Sequence, residues 1–172
     1  MYRCFAPIAT LLSLDEVSHR CFHVLIAASG FAVERWRSPD KAYSIVPPAG
    51  WKQSSSKGDA GFSYSFTSSD GKSEVRISPA YHISLPETMP DEALGMAFPK
   101  ERGITPIVSV RGGAWDGLRH EYTDEGESNR WLGVAARHGS TVVLLTMKAS
   151  EKEFGRLRSV FESVSQSLTF AE

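Results

Sequence analysis

Phe154, Leu157, Phe161, Val164 and Leu168 recur at spacings of three and four residues near the end of the chain. That spacing places all five on one stripe of an α-helix. Ser150 and Glu153 stand ahead of the stripe in the Ser-x-x-Glu order of a capping box, which would satisfy two orphan N–H donors at the helix start. Burying five such side chains is worth about 8–15 kcal/mol before entropy is charged. A stripe this apolar needs a surface to lie on, and the rest of the chain offers one as β-sheet. The expected fold class is α+β, an antiparallel sheet closed by a C-terminal amphipathic helix.

The strands are read from alternation and from turn residues. Tyr43-Ser44-Ile45-Val46 is a short strand stopped by Pro47-Pro48-Ala49-Gly50-Trp51, because proline lacks a ladder donor and glycine permits a tight turn. The polar run 52–60 reads as loop. Phe62, Tyr64 and Phe66 alternate with Ser63, Ser65 and Thr67, the period-two pattern of a half-buried strand. Asp70-Gly71 marks a hairpin turn, and Val75 and Ile77 mark the return strand, with Tyr81, Ile83 and Leu85 continuing it. Pro90-Asp91-Glu92 opens a short helix with Leu94, Met96, Ala97 and Phe98 on its apolar face, limited by Pro99. Further strands follow at 107–110, 115–123, 130–137 and 141–147, with the polar loop 123–129 and the turn His138-Gly139 between them. The strand 141–147 is apolar on both faces, so it is expected at the centre of the sheet, covered on both sides.

A chain of 172 residues fits one domain. Its 41% hydrophobic and 23% charged residues are ordinary for a globular protein. The net charge of −1 gives no field to recruit nucleic acid or anionic lipid, and nucleic-acid binding is excluded as the expected function. Cys4 and Cys21 both precede the folded part, so a disulfide framework, a zinc site and a cysteine nucleophile are not expected within it. No cofactor is expected.

Residues 1–38 differ from the rest. Apolar stretches at 4–14 and 21–33 flank a polar break at 15–20. Each is too short to span a membrane, which takes about 20 apolar residues. The second has the shape of a signal peptide, with Arg20 as the positive edge, residues 21–28 as the apolar core and Gly30-Phe31-Ala32 as the small-residue end. The expectation is removal after Ala32 and a periplasmic or secreted mature domain spanning 39–172. Initiation near Val17 would account for the extra stretch upstream. The alternative is a cytoplasmic chain in which Leu11, Leu14, Ser18, Cys21 and Leu25 form one face of a helix.

No catalytic constellation is recognisable, and the chain is expected not to be an enzyme. Asp116, His120 and Glu121 share a strand, with His120 and Glu121 on opposite faces and Asp116 four residues from His120, about 13 Å along an extended strand. His82 and His138 stand alone. Asp124, Glu125 and Glu127 make an acidic loop without the spacing of a calcium loop. Gly112-Gly113 lacks the Gly-Lys-Ser/Thr of a phosphate loop. Trp51, Trp115 and Trp131 are the binding candidates, as core residues or as the lining of a groove, since tryptophan is enriched at recognition sites.

Laid out this way, the chain resembles the Mog1/PsbP-like superfamily, including its DcrB-like and other bacterial members. The matching residues are the run 43–51, the pattern Gly113-x-Trp115-x-Gly117-x-Arg119-x-Glu121-Tyr122-Thr123, the strand pair up to Met147, and the helix 154–164 followed by Ser167-Leu168. The resemblance covers residues 42–170. It implies a three-layer α/β/α sandwich around an antiparallel sheet. It also implies a role in binding proteins or assisting membrane complexes, as in photosystem accessory subunits, a Ran-binding factor, secretion-effector chaperones and bacterial envelope proteins. Enzymatic activity is not typical of that family, and no site residues carry over. The expected function is therefore a non-enzymatic protein-binding or accessory domain of the bacterial cell envelope, with another protein as its partner. The alternatives are a cytosolic chaperone or adaptor, and a small hydrolase or ligand-binding protein whose site assembles only in three dimensions from His82, Asp116, His120 and His138.

Overall fold

The structure, a computed structural model, describes residues 34–59, 61–82, 91–124 and 129–171. In chain order the strands are β1 (Trp36–Arg37), β2 (Tyr43–Ile45), β3 (Lys52–Gly58), β4 (Gly61–Thr67), β5 (Glu74–Ile77), β6 (Tyr81–His82), β7 (Val108–Arg111), β8 (Asp116–Thr123), β9 (Asn129–His138), β10 (Thr141–Ser150) and β11 (Thr169–Phe170). Helix α1 (Asp91–Gly95) and a 3-10 turn (Lys100–Arg102) lie between β6 and β7, and helix α2 (Glu151–Gln166) lies between β10 and β11.

Seven strands form one sheet in the order β3-β4-β5-β10-β9-β8-β7, and every pairing in it is antiparallel. Strand β6 continues the line of β5 along β10, with Leu145 opposite Ile77 and Thr141 opposite His82. The three short strands β1-β2-β11 form a second sheet that joins the two ends of the domain. Arg35 fastens it, its guanidinium donating to Ser44 Oγ (3.1 Å), the Ser167 carbonyl (2.8 Å) and Thr169 Oγ1 (3.1 Å).

The apolar stripe of α2 lands where the periodicity places it. Phe154, Leu157, Phe161, Val164 and Leu168 are buried against Ile45, Phe66, Val75, Ile77, Leu132, Val134, Val143, Leu145 and Met147. Each of those strand residues alternates with one on the opposite face, so α2 closes one side of the sheet. On the opposite side a smaller cluster joins Leu94 and Phe98 to Leu118, Tyr122 and Ala135.

The α+β class and the antiparallel sheet hold, but the sandwich with helices on both faces does not. Among the described residues α2 is the one long helix, and it covers a single face. Among the described residues the opposite face receives the five residues of α1 and the strap that follows it. Gly95 and Pro99 bracket too few residues to extend α1. Leu94 and Phe98 are buried as expected, whereas Met96, expected on the same apolar face, is 81% exposed.

Three local expectations are also corrected. The run 52–60, expected as loop, contains β3, which is paired with β4 along its whole length. Ser150 is the N-cap residue of α2, but its side chain makes no capping hydrogen bond, and Glu153 pairs with Arg156 instead. Strand β10 is central, but only its first half is covered on both faces: Val142 and Leu144 pack under the α1 cluster, while Thr146 and Lys148 are half-exposed. Strand β1 belongs to the folded part although it precedes residue 39. The signal-like stretches, Cys4 and Cys21, Ala32, Ile83, Leu85, Pro90, Glu125 and Glu127 lie outside the described residues.

Candidate functional site

The face of the sheet away from α2 is built by cross-strand pairs. Register sets Tyr122 opposite Trp131, His120 opposite Gly133, Leu118 opposite Ala135 and Asp116 opposite Arg137. Side chains two residues apart on β8 share this face, so His120 and Tyr122 stack at 5.8 Å between ring centroids. Tyr122 in turn lies parallel to Trp131 at 6.0 Å, and Phe98 closes the other end of the file, 5.7 Å from His120. Gly133 makes room for it, because a Cβ there would meet the Phe98 ring at 2.6 Å.

Trp131 marks a boundary on this face. Its indole N–H donates to the Asp124 carboxylate at 2.6 Å, and the Lys148 ammonium lies 5.3 Å from its ring centroid. Beyond it the alternation brings Thr146 and Lys148 of β10, Glu74 and Arg76 of β5, Ser63, Ser65 and Thr67 of β4, and Lys52, Ser54 and Ser56 of β3 to the same side. Lys52, Ser54 and Ser56 are exposed, and Ser63, Ser65, Thr67, Glu74, Thr146 and Lys148 are half-buried. Arg76 is exposed, although Val75 and Ile77 on either side of it are fully buried against the α2 face. Glu74 organises the patch: it accepts from Ser65 Oγ (2.6 Å) and Arg76 Nε (3.2 Å) and faces Lys148 at 3.8 Å. The result is a hydroxyl-rich sheet surface with an aromatic ledge, bounded by the edge strand β3, every residue of which is exposed.

The three tryptophan candidates separate. Trp131 forms the ledge just described. Trp51 is half-buried, edge-on to Phe161 at 6.4 Å, and lines a polar hollow with Asp70, Glu153 and Arg156. Trp115 does not line a groove: it is 5% exposed, packed in the α2 core, and its indole N–H donates to the Leu168 carbonyl at 3.0 Å. Its place just after Gly112-Gly113 turns the ring inward, since a Cβ on Gly112 would collide with the indole at 2.1 Å.

Among the described residues, Asp116, His120 and His138 each have separate surroundings. Asp116 is held by Arg137 at 2.7 Å, and Arg137 also bridges to Asp91 at the start of α1. The bonded Arg137 guanidinium keeps the Asp116 carboxyl below the usual carboxylate range. His138 Nδ1 lies 2.5 Å from the Ala114 carbonyl, and its ring stacks on Phe170. The backbone of His82 sits on β6; its side chain lies outside the described residues. His120 and Glu121 do point to opposite faces. Glu121 faces α2, where it pairs with Arg130 at 2.9 Å and with Arg158. That buried charge cluster is missed by sequence reasoning, because its members come from β8, β9 and α2 and no local spacing links them. Among the described residues there is no group of three or more His, Cys, Asp or Glu that could hold a metal ion.

Burial, with the nearby Asp124 charge, pushes the Tyr122 hydroxyl up to about 12. Burial also raises the Tyr43 hydroxyl. A raised folded pKa keeps its stabilising effect below the unfolded value, about 10, and loses it as pH rises toward the folded one. Stability should therefore fall between about pH 10 and 12. Tyr122→Phe should flatten part of that fall, as read by urea unfolding at a series of alkaline pH values. An unchanged slope would place the Tyr122 hydroxyl in water.

No protein-family model matches the chain, and no curated protein matches it significantly. Solved structures do. Cyanobacterial PsbP (CyanoP) from Synechocystis sp. PCC 6803 superposes with a TM-score of 0.63 at 14% identity, over 84% of this chain and 96% of its own. A protein from Bacteroides thetaiotaomicron VPI-5482 gives 0.59 at 19% identity over 81% of this chain, which spans 48% of that longer protein. LpqN, involved in cell envelope biogenesis of Mycobacterium tuberculosis, gives 0.52 at 15% identity, over 81% of this chain and 90% of its own. At these identities the likeness is one of architecture, and it agrees with the resemblance carried by the 43–51 turn, the Gly113–Thr123 pattern and the closing helix: this chain has the Mog1/PsbP-like fold.

Proposed function

We propose that this chain is a non-enzymatic accessory domain of the bacterial cell envelope that binds another protein through the uncovered half of its sheet. The observation that carries this reading is the Arg76 face of β5. An inner strand there is dry on one side and, among the described residues, presents the exposed Arg76 on the other, on the same face as the Trp131 ledge and the exposed edge strand. Surfaces with an aromatic anchor and adaptable hydroxyls suit protein recognition. The structural likeness to LpqN supports the envelope as the place of action. So does the signal-like segment at 21–33. No helix among the described residues is long and apolar enough to cross a membrane.

Photo-crosslinking in living cells tests the reading. A photoreactive residue at Ser65 or Arg76 should capture one and the same protein, in the envelope fraction. The same residue at Arg156, on the solvent side of α2, should not capture it. Equal capture from all three positions, or a chain found intact from Met1 in the cytosol, would overturn it.

A further inference from the structure

Of the three tryptophan candidates, Trp51 alone has an indole N–H with no hydrogen-bond partner among the described residues. The residue is half-buried, and its indole nitrogen is not among the atoms sealed from water, so the donor is open. The hollow that Trp51 lines holds about 350 Å³, within the range of small-molecule sites. Two further groups on its wall are each only partly used. Asp70 Oδ1 accepts from Ser68 Oγ (2.7 Å) and from the Lys72 N–H (3.1 Å), and Oδ2 accepts from no other described residue. The Arg156 guanidinium donates to Glu153 through Nε and Nη2, and Nη1 has no partner among the described residues. Asp70 and Arg156 are both exposed, so a molecule in the hollow can reach them. The walls are set beforehand, which limits the ordering cost of binding. The backbone N–H of Trp51 donates to the Pro48 carbonyl at 3.2 Å, and the ring stands edge-on to Phe161 at 6.4 Å. The turn that carries Asp70 is closed by the Gly71 N–H, which donates to the Ser68 carbonyl at 2.9 Å. Leu157 of α2, 8% exposed, adds hydrocarbon to the lining.

We propose that this hollow binds a neutral pyranose sugar, the ring lying against the Trp51 indole and its rim hydroxyls meeting Asp70 Oδ2 and Arg156 Nη1. The chemistry of the lining makes the choice. A sugar ring presents C–H groups on its faces, which suit an aromatic plane, and hydroxyls around its edge, which both donate and accept. The hollow offers the matching set: a carboxylate that only accepts, and a guanidinium and an indole N–H that only donate. Asp70 and Glu153 repel an anion, and the Arg156 guanidinium repels a cation. A hydrocarbon would strip water from charged groups and return no hydrogen bond. The hollow shares no residue with the Ser65–Arg76 surface, so the assignment stands whether or not that surface binds a protein.

The test uses the whole chain with 15N-labelled tryptophan. The methyl glycosides of glucose, galactose, mannose and N-acetylglucosamine are added separately to about 20 mM, enough to populate millimolar sites. At least one should shift the Trp51 indole resonance saturably and leave those of Trp115 and Trp131 unmoved. Sorbitol, which has the hydroxyls without the ring, should bind at least several-fold more weakly. Asp70→Asn and Arg156→Gln should each weaken binding about five- to ten-fold. Both positions are exposed, so the fold should survive either change. No saturable Trp51 shift with any of the glycosides, equal affinity for sorbitol, or unchanged affinity in both variants would each overturn the assignment. An equal shift with choline would overturn it too, since that would mark a cation site.

Discussion

Replacing Phe161 by alanine should lower the free energy of unfolding by about 3–5 kcal/mol, the cost of removing a fully buried aromatic ring. Phe161 is at the middle of the α2 stripe, packed against Phe154 at 5.9 Å and Trp51 at 6.4 Å, and it is 0% exposed. Its neighbours come from the helix, from the turn before β3 and from the sheet, so no single element can relax into the cavity. The loss is large beside the 5–15 kcal/mol that typically holds a domain together. Urea unfolding followed by circular dichroism should show a lower midpoint with an unchanged slope. A loss below about 1 kcal/mol would mean that α2 does not seal the sheet.

The second large effect is expected at Glu121. Its carboxylate is 1% exposed and is shared between Arg130 and Arg158. Arg130 also reaches Glu151 at 3.4 Å and lies over the Phe154 ring at 4.9 Å. The cluster thus nails the first turns of α2 to β8 and β9. Glu121→Ala leaves Arg130, whose side chain is only 22% exposed, with a single weaker partner. Breaking a buried pair in this way costs about 3 kcal/mol. Arg158, whose side chain is 42% exposed, should cost about 1 kcal/mol or less when replaced by alanine. The two losses should not add, because they remove the same contact, and a double-mutant cycle reads that coupling directly. Strict additivity would show that the two charges act independently.

How much of this was legible from residues alone follows from what each element buries. The α2 stripe could be read because its apolar residues are buried at the helical period, and the Phe62–Phe66 alternation located β4, although Phe62, expected on the buried side, is 49% exposed and only Phe66 of the three is fully buried. The Asp70-Gly71 turn could be read because Gly71 adopts φ 74°, a conformation glycine accepts at little cost. Strand β3 could not be read. Lys-Gln-Ser-Ser-Ser-Lys-Gly has no apolar periodicity, since an edge strand exposed on both faces needs none; its order comes from pairing with β4. Strands β1 and β11 have two residues each and are held by partners far away in sequence. The second helical layer fails because fold resemblance supplied it, whereas the residues between Pro90 and Pro99 support little more than one turn. In the candidate site, Trp131 is half-buried on the face away from α2, while Trp115 faces inward, its indole fitting against Gly112 and donating to the Leu168 carbonyl. The Glu121–Arg130–Arg158 cluster and the close packing of Gly103 on His120 arise only from tertiary register.

The proposed binding surface requires β5 to have one dry face and one face open to solvent. Cysteine reactivity measures that residue by residue, since the chain's two native cysteines, Cys4 and Cys21, lie outside the described fold and can be replaced by serine. In that background Arg76→Cys in the purified protein should react with a small alkylating reagent at nearly the rate of an unstructured thiol. Val75→Cys should react only as fast as the domain opens. Comparable rates at the two positions, or protection of Arg76→Cys, would contradict the one-sided sheet and remove the surface on which the proposed binding role rests.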